Sequence, residues 1–234
     1  MEKEGGRVMV ERKLKAKALL IDLDGTIVDS MQVFEEAAKA AFSAIGHSKS
    51  SDSAGLEIVR CLQRNLPLNG FLAKMGVDKD LTEKFLTTFL QSFYYVAPSK
   101  TRLLPDVDET LRRLSAVFLL ALITRRQTLK KLVEQELKRL RIDQYFTAVV
   151  TGLEVEKPTP SPDPILRAAN QLQVATRDCV VVSDSGVDIK AAKTAGAKSV
   201  AVLSGVFEKE ELEQEAPDLI INDVNCLPQC LIGI

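Results

Sequence analysis

Four short segments carry the side chains with chemistry to offer. Asp22-Leu23-Asp24-Gly25-Thr26 sets two carboxylates two positions apart, followed by a glycine that lets the chain turn sharply around a ligand. Thr124-Arg125-Arg126 supplies a hydroxyl and two guanidinium groups, Lys157-Pro158 one ammonium group, and Ser183-Asp184-Ser185-Gly186-Val187-Asp188 two more carboxylates around a glycine. Gathered on one rim, those carboxylates would repel one another unless a cation joined them, and an all-oxygen donor set selects Mg²⁺ over softer metals. The hydroxyl and the lysine are then free to hold phosphate oxygens. The chemistry that follows is a Mg²⁺-assisted transfer of a phosphoryl group to a carboxylate.

A rim of this kind needs an element behind each segment. Short, almost wholly apolar runs at 16–23, 116–123, 145–150, 179–182 and 199–203 read as strands buried on both faces of a parallel sheet. Helical spacing fills the intervals: Val107, Thr110, Leu111 and Leu114; then Leu129, Leu132, Val133, Leu137 and Leu140; then 165–172 and 189–195. Alternating strand and helix predicts an open α/β sheet with right-handed crossovers, and ligands in such sheets bind beyond the carboxyl ends of the strands. The four segments stand at those ends.

Residues 29–104 break the alternation. Phe34, Ala37, Ala38, Ala41, Phe42 and Ile45 form a helical stripe stopping at Gly46, shorter candidates lie at 56–62 and 71–75, and Leu81, Phe85, Phe89 and Phe93 mark a longer helix expected to end before Pro98. This predicts a helical cap over 29–104 inserted into a core of 1–28 and 105–234. The serine-rich stretch 43–55 reads as a loop within the insert, with His47 a turn residue in it.

Composition removes other chemistries. The chain has 234 residues, 46% of them hydrophobic, enough for a core that needs no disulfide or metal staple. Thirty-one Lys and Arg balance 32 Asp and Glu, so no basic excess points to nucleic acid. One histidine cannot build a multi-histidine zinc site. Four cysteines without a Cys-x-x-Cys pair read as buried thiols of a reducing compartment. The charged N-terminal stretch lacks the apolar run of a signal peptide, and the longest apolar run falls far short of the roughly 20 residues a membrane span needs. A cytoplasmic protein, monomeric or homodimeric, with neither membrane nor nucleic acid as partner, is the expectation.

In order and spacing, the four segments resemble the motifs of the haloacid dehalogenase superfamily over almost the whole chain. Asp22-Leu23-Asp24-Gly25-Thr26-Ile27-Val28-Asp29-Ser30 is similar to the first nearly residue for residue; Thr124 matches the second, Lys157-Pro158 the third, and the run from Asp184 to Asp188 the fourth. The resemblance implies a Rossmann-like core with a helical cap that closes over small substrates. It implies that Asp22 attacks phosphorus to give an aspartyl phosphate, and that Asp24 protonates the leaving oxygen and then deprotonates water. It implies Mg²⁺ held by the Asp22 carboxylate, the Asp24 main-chain carbonyl and Asp184, with Thr124 and Lys157 on the phosphate and Asp188 orienting Lys157 or a metal-bound water. Family members that cleave carbon–halogen bonds lack the second carboxylate, so Asp24 favours phosphate esters. The layout is similar to the phosphoglycolate phosphatase branch. A sugar phosphomutase of the β-phosphoglucomutase type, or a binding protein retaining the fold without turnover, are the alternatives.

Two departures stand out. Arg125 occupies a position where the family usually has asparagine, and either adds a fork to the phosphate or points to solvent. Ser183 replaces the usual glycine before the fourth motif. Asp29, with Gln32 three residues on, reads as a variant capping box rather than a catalytic group, and Phe85, Phe89 and Phe93 as core of the cap.

Overall fold

Six strands lie side by side in the order β6 (Ala148–Val150), β5 (Leu119–Ile123), β2 (Ala18–Asp22), β7 (Cys179–Ser183), β8 (Lys198–Val202) and β9 (Leu219–Ile221), every neighbouring pair parallel. The computed structural model describes residues 13–47, 54–64 and 66–234. A peripheral strand β1 (Leu14–Ala16) precedes β2 (Ala18–Asp22), and β3 (Val28–Asp29) leads into four helices: α1 (Met31–Ala44), α2 (Ala54–Gln63), α3 (Asn69–Lys74) and α4 (Thr82–Lys100). β4 (Arg102–Leu103) returns the chain to α5 (Val107–Ser115), β5 (Leu119–Ile123), α6 (Lys130–Arg139), β6 (Ala148–Val150) and α7 (Asp163–Gln171). β7 (Cys179–Ser183), α8 (Gly186–Ala195), β8 (Lys198–Val202), α9 (Lys209–Gln214), β9 (Leu219–Ile221), α10 (Leu227–Cys230) and β10 (Leu231–Gly233) complete it.

The expected strands and core helices are present. Residues of β2 and β7 are buried on both sides, which is why their sequences run apolar without alternation. One core cluster, with Leu19, Ile21, Leu122 and Val182, fills one face of the sheet, and another, with Leu20, Ala121, Val181 and Ile165, fills the opposite face. Three features were not legible. β9 carries only three residues; β1 and β10 pair as a separate two-stranded sheet; and β3 pairs antiparallel with β4.

That β3–β4 pair is the neck between sheet and helices; it joins Val28 to Leu103 and Asp29 to Arg102. The helices above share their own core, in which Phe42, Ile58, Leu72 and Phe85 are fully buried, each contributing about 1.5–3 kcal/mol. Phe42 meets Phe85 edge to face at 4.8 Å. α4 does not stop before Pro98 but runs through it to Lys100. The end of α4 is held from outside: Arg139 on α6 donates to the Pro98 carbonyl at 2.6 Å and to the Thr101 carbonyl at 2.7 Å, two carbonyls that the helix end leaves open.

Smaller corrections concern the insert. The side chain of Asp29 accepts from the Met31 N–H at 2.9 Å, but Gln32 turns to Glu36, so no capping box forms. His47 is half-buried against Phe42, away from the strand ends. Of the loop expected over 43–55, residues 48–53 lie outside the described residues and its two ends belong to α1 and α2; most of the N-terminal stretch also lies outside the described residues. No described helix is long and apolar enough to cross a membrane, and all four cysteines are free, two of them buried.

Candidate active site

The sheet register gathers the predicted groups. Asp22 ends β2 opposite Ile123 of β5, and Ile21 lies opposite Val182 of β7. Thr124 and Asp184 therefore emerge beside Asp22, one step beyond the strands on either side, at the point where the chain order reverses across the sheet. The turn after β2 is closed by the N–H groups of Ile27 and Val28 on the Leu23 carbonyl, with Gly25 at φ +81°, a left-handed conformation that a side chain would strain. It brings Thr26 against Asp184, whose N–H donates to the Thr26 hydroxyl at 3.0 Å. Thr124 is buried, anchored by its N–H on the Val150 carbonyl at 2.9 Å.

The floor gathers buried carboxylates that repel one another. Burial, then the charges of Asp188, Asp184 and Asp24, hold the Asp22 carboxyl well above the usual carboxylate range. Burial, then Asp188, push Asp184 up to about 7, opposed by the Val206 N–H. Asp184 Oδ2 and Asp188 Oδ1 are buried without a hydrogen-bond partner, and such orphans are costly unless something supplies positive charge. The chain also crowds Asp184: a Cβ on Gly25 would come within 2.6 Å of Oδ2, and one on Gly205 within 1.7 Å. Among the described residues no three His, Cys, Asp or Glu side chains converge as a metal cluster. Mg²⁺ needs only one or two carboxylates beside carbonyl and water oxygens. Asp22, Asp184 and the Asp24 carbonyl fit that requirement.

Asp24 has a partner that sequence reading missed. Arg126, only 6% exposed, grips it in a fork: Nε to Oδ2 at 2.7 Å and Nη2 to Oδ1 at 2.6 Å. The same guanidinium reaches Glu136 through Nη1 at 2.5 Å and lies 5.2 Å from the Phe93 ring centroid in the cap. Burial alone would lower the Arg126 pKa, but the two carboxylates outweigh it and raise it. Ser30 donates to Asp24 Oδ1, and Thr101, at the end of α4, donates to Glu136. The sequence did contain a signal: Glu136 lies on the apolar stripe of α6 between Val133 and Leu137, where an unpaired carboxylate would not survive.

The other expected residues divide. Asp188 is buried at the floor, but its Oδ2 accepts from Ser183 at 2.9 Å, and no described contact joins it to Lys157. Ser183 also accepts from the Ser185 N–H at 3.0 Å, so the hydroxyl in place of glycine braces both ends of the fourth motif. Arg125 does not point to solvent; Nη2 donates to the Leu62 carbonyl of the cap at 3.2 Å. Lys157 is exposed and makes no described ion pair or side-chain hydrogen bond, while its neighbours Pro158 and Thr159 line the cavity.

That cavity, about 330 Å³, opens above Asp22, Asp24, Thr124 and Asp188. Its upper wall comes from the cap: Phe34, Leu62, Phe89, Leu90, Phe93 and Tyr94. Phe89 and Phe93 thus serve both the cap core and the wall. A second cavity, about 450 Å³, lies on the far side of Asp24, between Asp184, Ser204 and Gly205 and the cap residues Val59 and Arg60.

Comparison with known proteins agrees with this arrangement. Residues 19–202 match the haloacid dehalogenase-like hydrolase family. The phosphoglycolate phosphatase of Escherichia coli O157:H7 is 32% identical over 230 residues, covering 90% of each chain. A protein of Caldanaerobacter subterraneus assigned as a pyrophosphatase is 31% identical over 213 residues, covering 90% of this chain and 92% of its own. Among solved structures, a haloacid dehalogenase-like hydrolase from Streptococcus pneumoniae superposes with a TM-score of 0.74 at 22% identity, over 89% of this chain and 95% of its own. The chain belongs to the haloacid dehalogenase-like hydrolases.

Proposed function

We propose that the protein is a Mg²⁺-dependent phosphatase of the cytoplasm that hydrolyses a small phosphate monoester through an aspartyl phosphate on Asp22. The observation that carries this reading is the convergence of Asp22, Thr124 and Asp184 at three adjacent strand ends, beneath a cavity that Asp24 also lines. The phosphatase named among its relatives supports the same reaction class.

In this reading an oxygen of Asp22 attacks phosphorus as the ester P–O bond breaks, and Asp24 gives its proton to the departing oxygen. Water then attacks the acyl phosphate, Asp24 takes the proton back, and phosphate leaves with Asp22 regenerated. Thr124 donates its hydroxyl to the transferring group, and Lys157 adds positive charge by turning in from its exposed position. Mg²⁺, held by Asp22, Asp184 and the Asp24 carbonyl, would neutralise charge on the phosphate oxygens. Arg126 and Ser30 occupy the carboxylate of Asp24, so the acid step needs that carboxylate to turn from the fork toward the leaving oxygen.

The test is Asp22→Asn. Phosphate release with Mg²⁺ should fall on the order of 10³-fold or more with the circular dichroism spectrum unchanged, and an active variant rules out the covalent route. A phosphomutase with the same first step is separated by assaying sugar-phosphate isomerisation against phosphate release.

A further inference from the structure

We infer that the alcohol portion of the substrate is uncharged and apolar, an aryl or aryl-alkyl phosphate in chemical class, rather than the carboxylate-bearing glycolate or the phosphate of pyrophosphate that the relatives' names suggest. The inference rests on the proposed phosphatase reading, because it takes the phosphate to sit over Asp22 and Thr124 and asks what lies opposite.

Opposite the floor stand Phe34, Leu62, Phe89, Leu90, Phe93 and Tyr94. The described cap residues on this wall include no cation. Tyr94 is its one titratable group; burial pushes that phenol up from its ordinary value, and its oxygen accepts from the Gln127 N–H at 2.8 Å. Phe34 and Phe93 are stacked with centroids 4.5 Å apart. Of the two arginines at the base of the cavity, one is neutralised by carboxylates and the other is held at the Leu62 end of the wall. Arg126 divides its N–H groups between Asp24 and Glu136, and Arg125 reaches the Leu62 carbonyl.

Away from Arg125, a carboxylate or second phosphate placed against the rings of Phe34, Phe89, Phe93 and Tyr94 would lose its water without gaining a counter-ion, which costs far more than burying a neutral group. A flat apolar group would instead bury its surface against rings. Ligand cavities of roughly 300–1,000 Å³ with apolar walls and a few convergent polar groups take partly apolar small molecules, and a cavity of about 330 Å³ limits that portion to about one ring. Among the described cap residues lining the two cavities, the cation is Arg60 in the second, where it lies beside Glu57.

The experiment compares benzyl phosphate, phosphoglycolate and pyrophosphate as substrates of the full chain with Mg²⁺, for the wild type, Leu90→Lys and Arg60→Ala. Benzyl phosphate and phosphoglycolate both release an alcohol whose oxygen needs a proton, so the comparison isolates the wall. Wild-type kcat/KM should be at least tenfold higher for benzyl phosphate than for either anionic substrate. Leu90→Lys, on a half-buried wall position, should narrow or invert that ratio, and Arg60→Ala should leave it unchanged. Equal or better turnover of phosphoglycolate or pyrophosphate overturns the inference, as does a loss of their turnover in Arg60→Ala that spares benzyl phosphate. Should Leu90→Lys fail to fold, the wild-type ratio and the Arg60→Ala result still decide. Absence of hydrolysis of all three by folded protein with Mg²⁺ would instead overturn the phosphatase reading beneath it.

Discussion

On the floor of the cavity, Asp22, Thr124 and Asp184 are placed by three strands whose parallel hydrogen bonding fixes their register along their whole length. The wall above is made of side chains on α1, α2 and α4, helices that pack against one another and are joined to the sheet through the short β3–β4 neck. Moving a floor residue means disturbing the sheet, whereas a wall residue can be exchanged without touching any strand. On the proposed reading, the reaction is written in backbone register and the choice of substrate in replaceable side chains.

The sharpest way to break that comparison is at Gly205, where the floor depends on the absence of a side chain. Gly205→Ala would put a Cβ within 1.7 Å of Asp184 Oδ2, so the carboxylate must move. We expect phosphate release to fall on the order of 10²-fold, the penalty typical of a catalytic group displaced by about an ångström. Calorimetric Mg²⁺ titration should show weakened binding; unchanged Mg²⁺ affinity would remove Asp184 from the metal site.

Next in size is the buried ion network beneath the wall. Glu136→Ala leaves Arg126 with one carboxylate in place of two and should destabilise the protein by about 1–3 kcal/mol, the cost of leaving buried donors unsatisfied while the Asp24 fork still compensates the charge. Urea unfolding monitors it. Replacing Arg126 and Glu136 together with apolar groups, Arg126→Met with Glu136→Leu, leaves Asp24 with Ser30 alone of these partners and should lower activity, because Asp24 then loses its fork. Full activity in the double variant would show that Asp24 needs no holding.

How far the sequence foretold these two regions follows from the same physics. Strand runs and helix stripes are periodic, so core and cap were readable. Asp22, Thr124 and Asp184 were readable too, because in a parallel sheet a residue's distance along its strand fixes which rim it reaches. Arg126 was not. It is adjacent to Arg125 in sequence, and only the fold decides that one guanidinium turns to Asp24 while the other reaches the cap. Lys157 marks the opposite limit: its place in the motif series predicts a phosphate contact, yet its side chain stands exposed. Pro98 was misjudged as a stop: α4 continues two residues past it, and Arg139, 41 positions later in the chain, caps a carbonyl of that last turn.

Metal removal sharpens the contrast more gently. Burial and Asp188 push Asp184 up to about 7 without a cation, so the folded state holds its proton where the unfolded chain has lost it. That stabilisation is complete below the ordinary carboxylate value of 3.8 and is lost as pH rises toward about 7. Chelator-treated protein should thus unfold at lower urea at about pH 8 than at about pH 5, and Mg²⁺ should close the gap by binding the ionised form. A gap that Mg²⁺ leaves intact would place its origin elsewhere.

The smallest effect is expected where wall meets floor at the surface. Arg64 at the end of α2 pairs with Glu211 on α9, and its guanidinium lies 5.3 Å from the Phe207 ring centroid. Both partners are about one-third exposed, so Arg64→Ala should cost at most about 1 kcal/mol of stability, and less at high salt. Its consequence for turnover is different in kind. The contact ties the cap to the core without touching the floor, so its loss should favour the open cap and raise KM a few-fold while kcat changes little. Equal falls in kcat and kcat/KM would instead mean that this bridge helps to shape the floor, and the separation between a fixed rim and an exchangeable wall would have to be redrawn.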